Sequence, residues 1–458
     1  MAMLAMHQRA SAGPGWLGSV FVAAASILLY SSLQLQAQNR AGTPPVAAPA
    51  AATAGDKIFQ ATKLHRIHVW VSAAEWAVLQ TSSARGGNAI GGSDYSDANG
   101  RLIHVGSGFG GYFPWVRADF RIDDPSGKIE FKDVGLRYKG NLSFATSSAA
   151  APLFANFKLK IDVHGTKGTW DGEKTFNLHA GVVDTSKMRD AIAFAVFRAA
   201  GVPAPRTAFV ELSVTVPGLY QNAPAGLFTI IEDVNKKFLE RALPPGTGLL
   251  MKPEGMRGGV QNMGDSWAAY TPTYRPDRDA TPHEQQRVME FARLVSQSDV
   301  ALFRSRIGTY LDVDQFLRFI AVNALIVNTD SYLRGGHNFY LYLDPKDDKF
   351  RFIPWDQDLS LGSRPGRAGA GFGPQIDVMR PFTGDQPLIY WLLDDPAVAA
   401  QYRAIVRELG TSVFTATELS KMVDAFEKIG TGRGPSPREF IAARTAQVQQ
   451  LVASWGGK

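Results

Sequence analysis

The chain has 458 residues, a net charge of +6 and a pI near 9.3, which are mild values for its length. With 45% hydrophobic and 20% charged residues it is globular for most of its length, enough for one large or two ordinary domains. It has no long Lys/Arg block, so no nucleic-acid partner is indicated, and the absence of cysteine excludes disulfides, thiolate zinc sites and cysteine nucleophiles.

The first elements along the chain concern export. Arg9 precedes the apolar stretch WLGSVFVAAASILLYSSL, and small residues surround Ala37. This pattern predicts a secretory signal over residues 1–37, and an uncleaved membrane anchor is the competing interpretation. The Pro/Ala-rich residues 38–60 are predicted to be a linker. We therefore expect an exported protein, periplasmic, extracellular or anchored, that contacts a membrane only through this segment.

Residues 61–245 are predicted to be rich in strands. Residues 86–114 are Gly/Ser/Asp-rich and are predicted to be a loop. One amphipathic helix is expected over residues 186–200, with Ser186 as its N-cap. The strand candidates alternate apolar and polar residues: HRIHVWV, VRADFRI, IEFKDVGLRYKG, FANFKLKIDV, TAFVELSVTV and AGLFTIIEDV.

Residues 246–458 have mainly helical patterns. The helices are interrupted by one predicted hairpin, in which NFYLYLD and KFRFIPWD are joined by the turn PKDD. Strands that are followed by helices, with a hairpin among the helices, predict an α+β chain of two lobes.

Two acids follow the second hairpin strand in FIPWDQDLSLG (352–362). Hard cations such as Mg²⁺ take oxygen ligands, which Asp356 and Asp358 can offer at a strand end. The competing interpretation is that these acids cap the next turn or pair with Arg351 and Arg364. Alone, the Asp-x-Asp pattern does not decide between the two.

An acid and an amide also lie just before the hairpin, in NTDSYLRGGHNFYLY (328–342). A long apolar helix leads directly into Asp330, and Asn338 follows after a short Gly-Gly loop. They form an ordered polar set ahead of the strand. The alternative is that Asp330 caps a turn and Asn338 bonds the backbone.

Basic residues are candidates for binding anions. Lys139 lies in LRYKGNLSF, and Lys158 and Lys160 share one face of a strand if Phe157 and Leu159 point into the core. A solvated strand face is the ordinary alternative. The stretch GLFTIIEDVNKKFLER likewise allows an ordinary strand-to-helix turn at residues 232–234.

The order of these parts is that of protein kinases: a strand lysine, a helix acid, a connector, an Asp/Asn loop and a hairpin with a metal-binding Asp. G-x-G-x-x-G and H-R-D are absent, and WDQD stands where D-F-G is expected. The chain resembles the spore-coat CotH kinase family of atypical secreted or coat-associated kinases over roughly residues 60–365. The motifs that carry the resemblance are LRYKGNLSF, FANFKLKIDV, SKMRDAIAFAVFRAAGVPAPR, GLFTIIEDVNKKFLER, NTDSYLRGGHNFYLY and FRFIPWDQDLSLG.

The resemblance implies an α+β, atypical protein-kinase-like fold of two lobes, with a strand-rich N-lobe (61–245) and a mainly helical C-lobe (246–458). It implies ATP and Mg²⁺ or Mn²⁺ as cofactors. It makes Asp330 the catalytic aspartate and assigns the metal to Asn338, Asp356 and Asp358. The residues it implies for the nucleotide are Lys139 in the cradle over the phosphates, Lys158 or Lys160 as the phosphate lysine, Asp190 as its acidic partner, and Glu232, Asp233 and Val234 as the hinge to adenine.

The function implied is transfer of the γ-phosphoryl group of ATP to Ser or Thr of a protein substrate. The main alternative is a non-catalytic surface or adhesion module on a kinase-like scaffold. A metal-dependent glycosyl- or nucleotidyltransferase that uses Asp356 and Asp358 is a further alternative. The strand-rich N-terminal half disfavours that last class, whose nucleotide-binding region usually alternates strands and helices.

Overall fold

The computed structural model describes residues 52–84, 94–106, 111–124, 127–147, 151–254, 259–328, 330–362, 376–382, 386–430, 434 and 436–456. From Thr53 onward they belong to one compact unit. The predicted signal segment lies outside the described residues, as does most of the predicted linker. Within the described ranges, no helix has the length and apolar character needed to cross a membrane.

The last part of the predicted linker is folded. Ile58 is fully buried and Phe59 is 7% exposed, and both belong to the hydrophobic core of the strand-rich region. The backbone amide of Gly55 donates to the carbonyl of Asp171 at 2.7 Å. The folded body therefore begins before residue 61, because two apolar side chains after the Pro/Ala run find a core to bury in.

Seven strands close into a barrel in the order β1-β5-β6-β7-β8-β10-β9. Every neighbouring pair is antiparallel except β1 and β9, which are parallel. The strands are β1 (Leu64–Trp70), β2 (Tyr95–Ser96), β3 (Leu102–Gly106), β4 (Gly111–Pro114), β5 (Val116–Asp124), β6 (Gly127–Tyr138), β7 (Phe157–Lys160), β8 (Thr175–His179), β9 (Thr207–Val216), β10 (Tyr220–Glu232), β11 (Leu249–Met251), β12 (Phe339–Asp344) and β13 (Lys349–Pro354).

The barrel encloses its own core. Alternate apolar residues of each strand point inward, as Ile67 and Val69 do on β1 and Phe120 and Ile122 do on β5. Residues between them point outward, so polar side chains of β6, β7 and β8 share the outer face. The predicted strands over residues 61–245 are thus confirmed, and their closure into a barrel leaves no open edge among them.

The predicted loop over residues 86–114 is wrong in part. β2, β3 and β4 form a small three-stranded sheet, in which Ile103 and Val105 are buried at alternate positions. Residues 85–93 and 107–110 lie outside the described residues. The Gly/Ser/Asp-rich composition concealed these short strands, whose only apolar signal is the alternation in LIHVG.

The helices are α1 (Ala73–Leu79), α2 (Leu142–Ser147), α3 (Arg189–Ala199), α4 (Lys236–Ala242), α5 (Trp267–Tyr274), α6 (Pro282–Ser296), α7 (Val300–Tyr310), α8 (Val313–Leu325), α9 (Pro387–Leu393), α10 (Pro396–Ser412), α11 (Ala416–Glu427) and α12 (Arg438–Ser454). The expected helix over residues 186–200 is α3, but it begins at Arg189. The N-cap position is Met188 rather than Ser186, and the amide of Arg189 donates to Asp184 Oδ2 at 2.9 Å.

The mainly helical character of the C-terminal part is confirmed, and the predicted hairpin is β12 and β13. β11 adds a third strand that the sequence did not indicate. A second hydrophobic core contains α3, the C-terminal helices and this sheet. The hairpin therefore packs within the helical part, and Phe339 and Ile353 near its open end belong to that core.

Candidate active site

The open end of the hairpin carries two residues in the left-handed backbone region. Asn338 has φ 58° and Asp356 has φ 55°, values that Asn and Asp tolerate better than other non-glycine residues. The amide of Trp355 donates to the carbonyl of Asn338 at 3.1 Å, which joins the two strands at this point. The Asp/Asn loop and the acids after β13 are thus brought to one place.

Asp330 is held by two neighbours. Its Oδ1 accepts from His337 Nε2 at 2.8 Å and its Oδ2 accepts from Asn338 Nδ2 at 3.1 Å. Burial lowers the pKa of His337, but the hydrogen bond and charge of Asp330 outweigh burial and raise that pKa overall. The side chain of Asp330 remains 43% exposed, so an approaching hydroxyl group can reach a carboxylate whose orientation is set.

Two amides that the sequence analysis missed connect this loop to the acids after β13. Asn328 Oδ1 accepts from the amide of Asp330 at 3.1 Å, and Asn328 Nδ2 donates to Gln357 Oε1 at 2.8 Å. The backbone amide of Gln357 donates to Asp190 Oδ1 at 2.9 Å. Asn328 and Gln357 lie inside the motifs NTD and WDQD, and their full burial was the signal that only a structure supplies.

Asp190 is bonded to a histidine and not to a strand lysine. Its Oδ2 accepts from His179 Nδ1 at 3.1 Å, and His179 Nε2 accepts from Lys139 Nζ at 2.5 Å. The expected pairing of Asp190 with Lys158 or Lys160 is therefore wrong in this structure. Burial lowers the pKa of Lys139 to about 7, while Asp356 opposes that effect. His179 was missed because a histidine at the end of an apolar strand has no local signature.

The two lysines of β7 share one face, as expected, since Phe157 and Leu159 between them are buried. Lys158 Nζ donates to Asp233 Oδ1 at 2.7 Å, and Asn177 Nδ2 donates to the same oxygen at 2.9 Å. Burial lowers the pKa of Lys158; burial also opposes ionisation of Asp233, but Lys158 outweighs it and brings the pKa of Asp233 to about 2.

Lys160 is more peripheral than Lys158. Its side chain is 44% exposed and its ammonium lies 3.8 Å from Asp162. Lys139 and Lys158 are therefore the half-buried lysines of the candidate site, and Lys160 is the more exposed one.

The expected hinge begins with a structural carboxylate. Glu232 is 1% exposed and forms ion pairs with Arg206 and with Arg241, each at 2.7 Å. Asp233 points to Lys158, and Val234 is buried just before α4. The side chain of Glu232 thus anchors the segment, and any contact with adenine would come from the backbone of residues 232–234.

The acids after β13 share a buried, acidic region. Burial raises the pKa of Asp356, as do Asp190 and Asp330, whereas His179 and Lys139 oppose the rise. The pKa of Asp358 lies well above its usual range because of burial and of the other carboxylates around it. Arg351, the partner considered above, pairs with other carboxylates, those of Asp312, Asp344 and Asp347.

Neighbouring carboxylates that repel one another suit a bound cation, and the oxygen donors of Asp356, Asp358 and Asn338 match Mg²⁺ or Mn²⁺ in chemistry. Asp358 is buried and Asp356 is half-buried. In the part of the chain that the structure describes, however, no three His, Asp or Glu side chains converge as a metal-binding group, so the match is one of donor type and charge and not of geometry.

Together these observations define an α+β protein whose buried acids face lysines on the outside of a barrel. The profile described as "CotH kinase protein" matches residues 136–432. The chain belongs to this family, which confirms the resemblance inferred from its motifs.

The relatives include a bacterial spore coat protein and a fungal invasin. The chain is 23% identical over 267 residues to "Inner spore coat protein H" of Bacillus subtilis, which covers 57% of this chain and 69% of that protein. It is 23% identical over 252 residues to "Invasin CotH7" of Rhizopus delemar, covering 53% of this chain and 40% of that protein. The chain thus spans less than half the length of the fungal relative.

Solved structures are similar only weakly. The Shewanella oneidensis HipA, HipB and operator DNA complex matches with a TM-score of 0.29 and 13% identity, covering 88% of this chain and 74% of that chain. The Helicobacter pylori proinflammatory kinase CtkA matches with a TM-score of 0.24 and 9% identity, covering 64% of this chain and 94% of that one. At these TM-scores the likeness is too low to assign a fold.

Proposed function

We propose that the protein transfers the γ-phosphoryl group of ATP to a Ser or Thr hydroxyl of a protein, with Mg²⁺ or Mn²⁺. The observation that carries the proposal is one continuous hydrogen-bonded chain, which runs from Lys139 through His179, Asp190, Gln357 and Asn328 to Asp330. It links Lys139, a half-buried cation of the barrel, to the backbone amide of Asp330, whose carboxylate is exposed in the helical part. Phosphoryl transfer depends mainly on such positioning and on charge neutralisation.

In this proposal the barrel and the helical part act as the N-lobe and C-lobe of an atypical kinase. Lys139 and Lys158 bind phosphate oxygens, and the backbone of residues 232–234 binds adenine. Asp356, Asp358 and Asn338 hold the cation, which would neutralise phosphate charge when bound. The carboxylate of Asp330, oriented by His337 and Asn338, accepts the proton of the attacking hydroxyl group.

His179 is a positioning residue in the same proposal. Its Nδ1 donates to Asp190, so its Nε2 faces Lys139 as an acceptor and holds the ammonium at 2.5 Å. Unlike a carboxylate, an imidazole brings no negative charge, so His179 orients Lys139 without forming an ion pair with it. Burial lowers the pKa of Lys139 to about 7, and the negative charge of a bound phosphate group would favour the ammonium form.

The test is transfer of labelled phosphate from ATP by the purified full chain, with Mg²⁺ or Mn²⁺. Asp356→Ala is expected to abolish metal-dependent turnover and to leave the fold intact. Asp265→Asn is the matched control, since Asp265 is a 95% exposed aspartate paired with Arg293. Unchanged turnover in Asp356→Ala would remove the metal assignment, and no transfer by the folded wild-type protein would remove the enzymatic proposal.

A non-catalytic surface module remains the second proposal, and the name of the relative "Invasin CotH7" is the observation that favours it. The names of the relatives also support a coat or surface location, in agreement with the export expected from residues 1–37. The same labelled-ATP assay separates the two proposals, because a surface module has no need of Asp330 or Asp356.

A further inference from the structure

One arginine on the outer face of the barrel takes no part in the contacts described so far. Arg137 lies on β6 directly opposite Lys158 of β7, two residues before Lys139. Its chain neighbours Leu136 and Tyr138 belong to the barrel core. Arg137 therefore points out of the barrel, to the same side as the two lysines of the candidate site.

Arg137 is buried without a counter-ion. It is 5% exposed, and among the described residues the carboxylates of Asp94, Asp233 and Glu254 act on its guanidinium through their charge and not through a hydrogen bond. Its Nη1 donates to the carbonyl of Tyr138 at 2.9 Å, whereas its Nε has no acceptor among the described residues. The guanidinium packs 4.9 Å from the ring of Trp115, which fixes its plane. A buried charge with an unused donor costs stability unless a ligand supplies the missing acceptor.

The three carboxylates whose charges act most strongly on Arg137 already have other hydrogen-bonded partners. Burial lowers the pKa of Arg137 to about 10, and Asp94, Asp233 and Glu254 partly offset that effect. Each of these three acids has another cation or histidine as its hydrogen-bonded partner: Asp94 with His104 at 2.9 Å, Asp233 with Lys158 at 2.7 Å, and Glu254 with Arg275 at 2.7 Å.

The excess of positive charge extends to Lys139. Its hydrogen-bonded partner is the histidine His179. Burial lowers the pKa of Lys139 most, Asp356 opposes that effect, and the cations Lys158, Lys252 and Arg137 lower the pKa further. Two cations, the buried Arg137 and the half-buried Lys139, thus stand two residues apart, and neither has a hydrogen-bonded carboxylate partner in the described part of the chain. Such a pair matches a ligand with more than one negative charge.

We propose that Arg137 binds a phosphate group of the nucleotide beside Lys139, so that the site takes a polyphosphate ligand. The inference rests on the proposed function, which it deepens by adding a residue that the motifs did not indicate. The guanidinium offers its Nε edge to phosphate oxygens in the planar arrangement that arginine uses for such groups.

The proposal predicts opposite effects of one substitution on stability and on binding. Arg137→Met keeps apolar contact with Trp115 and removes the buried charge, so the ligand-free protein is expected to unfold at an equal or higher temperature. Its affinity for ATP with Mg²⁺ is expected to fall about 10- to 100-fold, the loss typical of a charged hydrogen bond. If Arg137 had only a structural role, Arg137→Met would lower the unfolding temperature instead.

Calorimetric titrations of the full chain with ATP, pyrophosphate and adenosine test the proposal. Weaker binding of ATP and pyrophosphate with unchanged binding of adenosine supports it. The ATP affinity of Arg137→Lys is expected to lie between those of wild type and Arg137→Met. Lysine keeps the positive charge but lacks the planar set of N–H donors that binds two oxygens at once. Lys128→Met, which removes an exposed cation of the same strand, is the control and should change neither affinity nor stability.

The remaining outcomes separate this inference from the proposed function. If wild type binds ATP and Arg137→Met binds it equally well, or if Arg137→Met loses stability and adenosine affinity together, Arg137 has no phosphate role and the kinase proposal stands. If wild type binds pyrophosphate through Arg137 but has no affinity for ATP, the anion site stands and the kinase proposal fails. If wild type binds neither, both fail.

Discussion

Glu173 offers a direct test of the electrostatics of the barrel. It is 2% exposed, and its Oε1 has no hydrogen-bond partner among the described residues. Burial raises its pKa from 4.5 to about 7, and the nearby charges of Glu232 and Asp233 add to the rise. Glu173 is therefore protonated in the folded protein at pH values at which the unfolded chain has already released the proton.

The sign of the effect follows from proton binding. Between pH 4.5 and 7 the folded state holds more protons than the unfolded state, so the stability that Glu173 contributes is complete below pH 4.5. It is lost as the pH rises through 7. A shift from 4.5 to about 7 corresponds to about 3 kcal/mol of unfolding free energy, because each pKa unit is worth about 1.4 kcal/mol.

Glu173→Gln removes the titration and keeps the shape. We expect the variant and wild type to have similar unfolding free energies at pH 4.5, and the variant to be more stable by about 3 kcal/mol at pH 8. Urea denaturation at a series of pH values measures this difference. Glu439→Gln, at an exposed position of α12, is the control and should parallel wild type. A Glu173→Gln curve that also parallels wild type from pH 4.5 to 8 would refute the reasoning.

Three further predictions concern the hinge, the catalytic loop and the barrel. Glu232→Gln leaves two half-buried arginines, Arg206 and Arg241, without their shared charge and is expected to lower the unfolding free energy by about 3–5 kcal/mol in urea titrations; a loss under 1 kcal/mol would contradict the anchoring role. Asp330→Asn is expected to reduce phosphoryl transfer by about 10²- to 10⁴-fold with unchanged nucleotide affinity in calorimetry, whereas equal losses of both would contradict its role as proton acceptor. Gly135→Ala places a Cβ 2.7 Å from Val163 Cβ and is expected to cost about 1–3 kcal/mol, measured by thermal unfolding; a neutral result would show that β6 can shift outward.

The sequence alone determined those features whose signals lie within a few neighbouring residues. Alternation of apolar residues predicted the barrel strands, helical spacing predicted α3, and the turn after Asp344 predicted the hairpin, because each signal lies within a few residues. Asp330 and Asn338 are eight residues apart around one loop, so their proximity also followed from local order. The motifs then identified the family.

The tertiary structure alone decided which distant side chains meet. Whether Lys139 or Lys158 faces His179 depends on strand register and barrel closure, which bring together Lys139 and His179 although they are 40 positions apart in the chain. The buried ion pairs of Glu232 and the unpaired charge of Arg137 likewise depend on burial. Burial is a property of the packed chain, and no local pattern in the sequence encodes it.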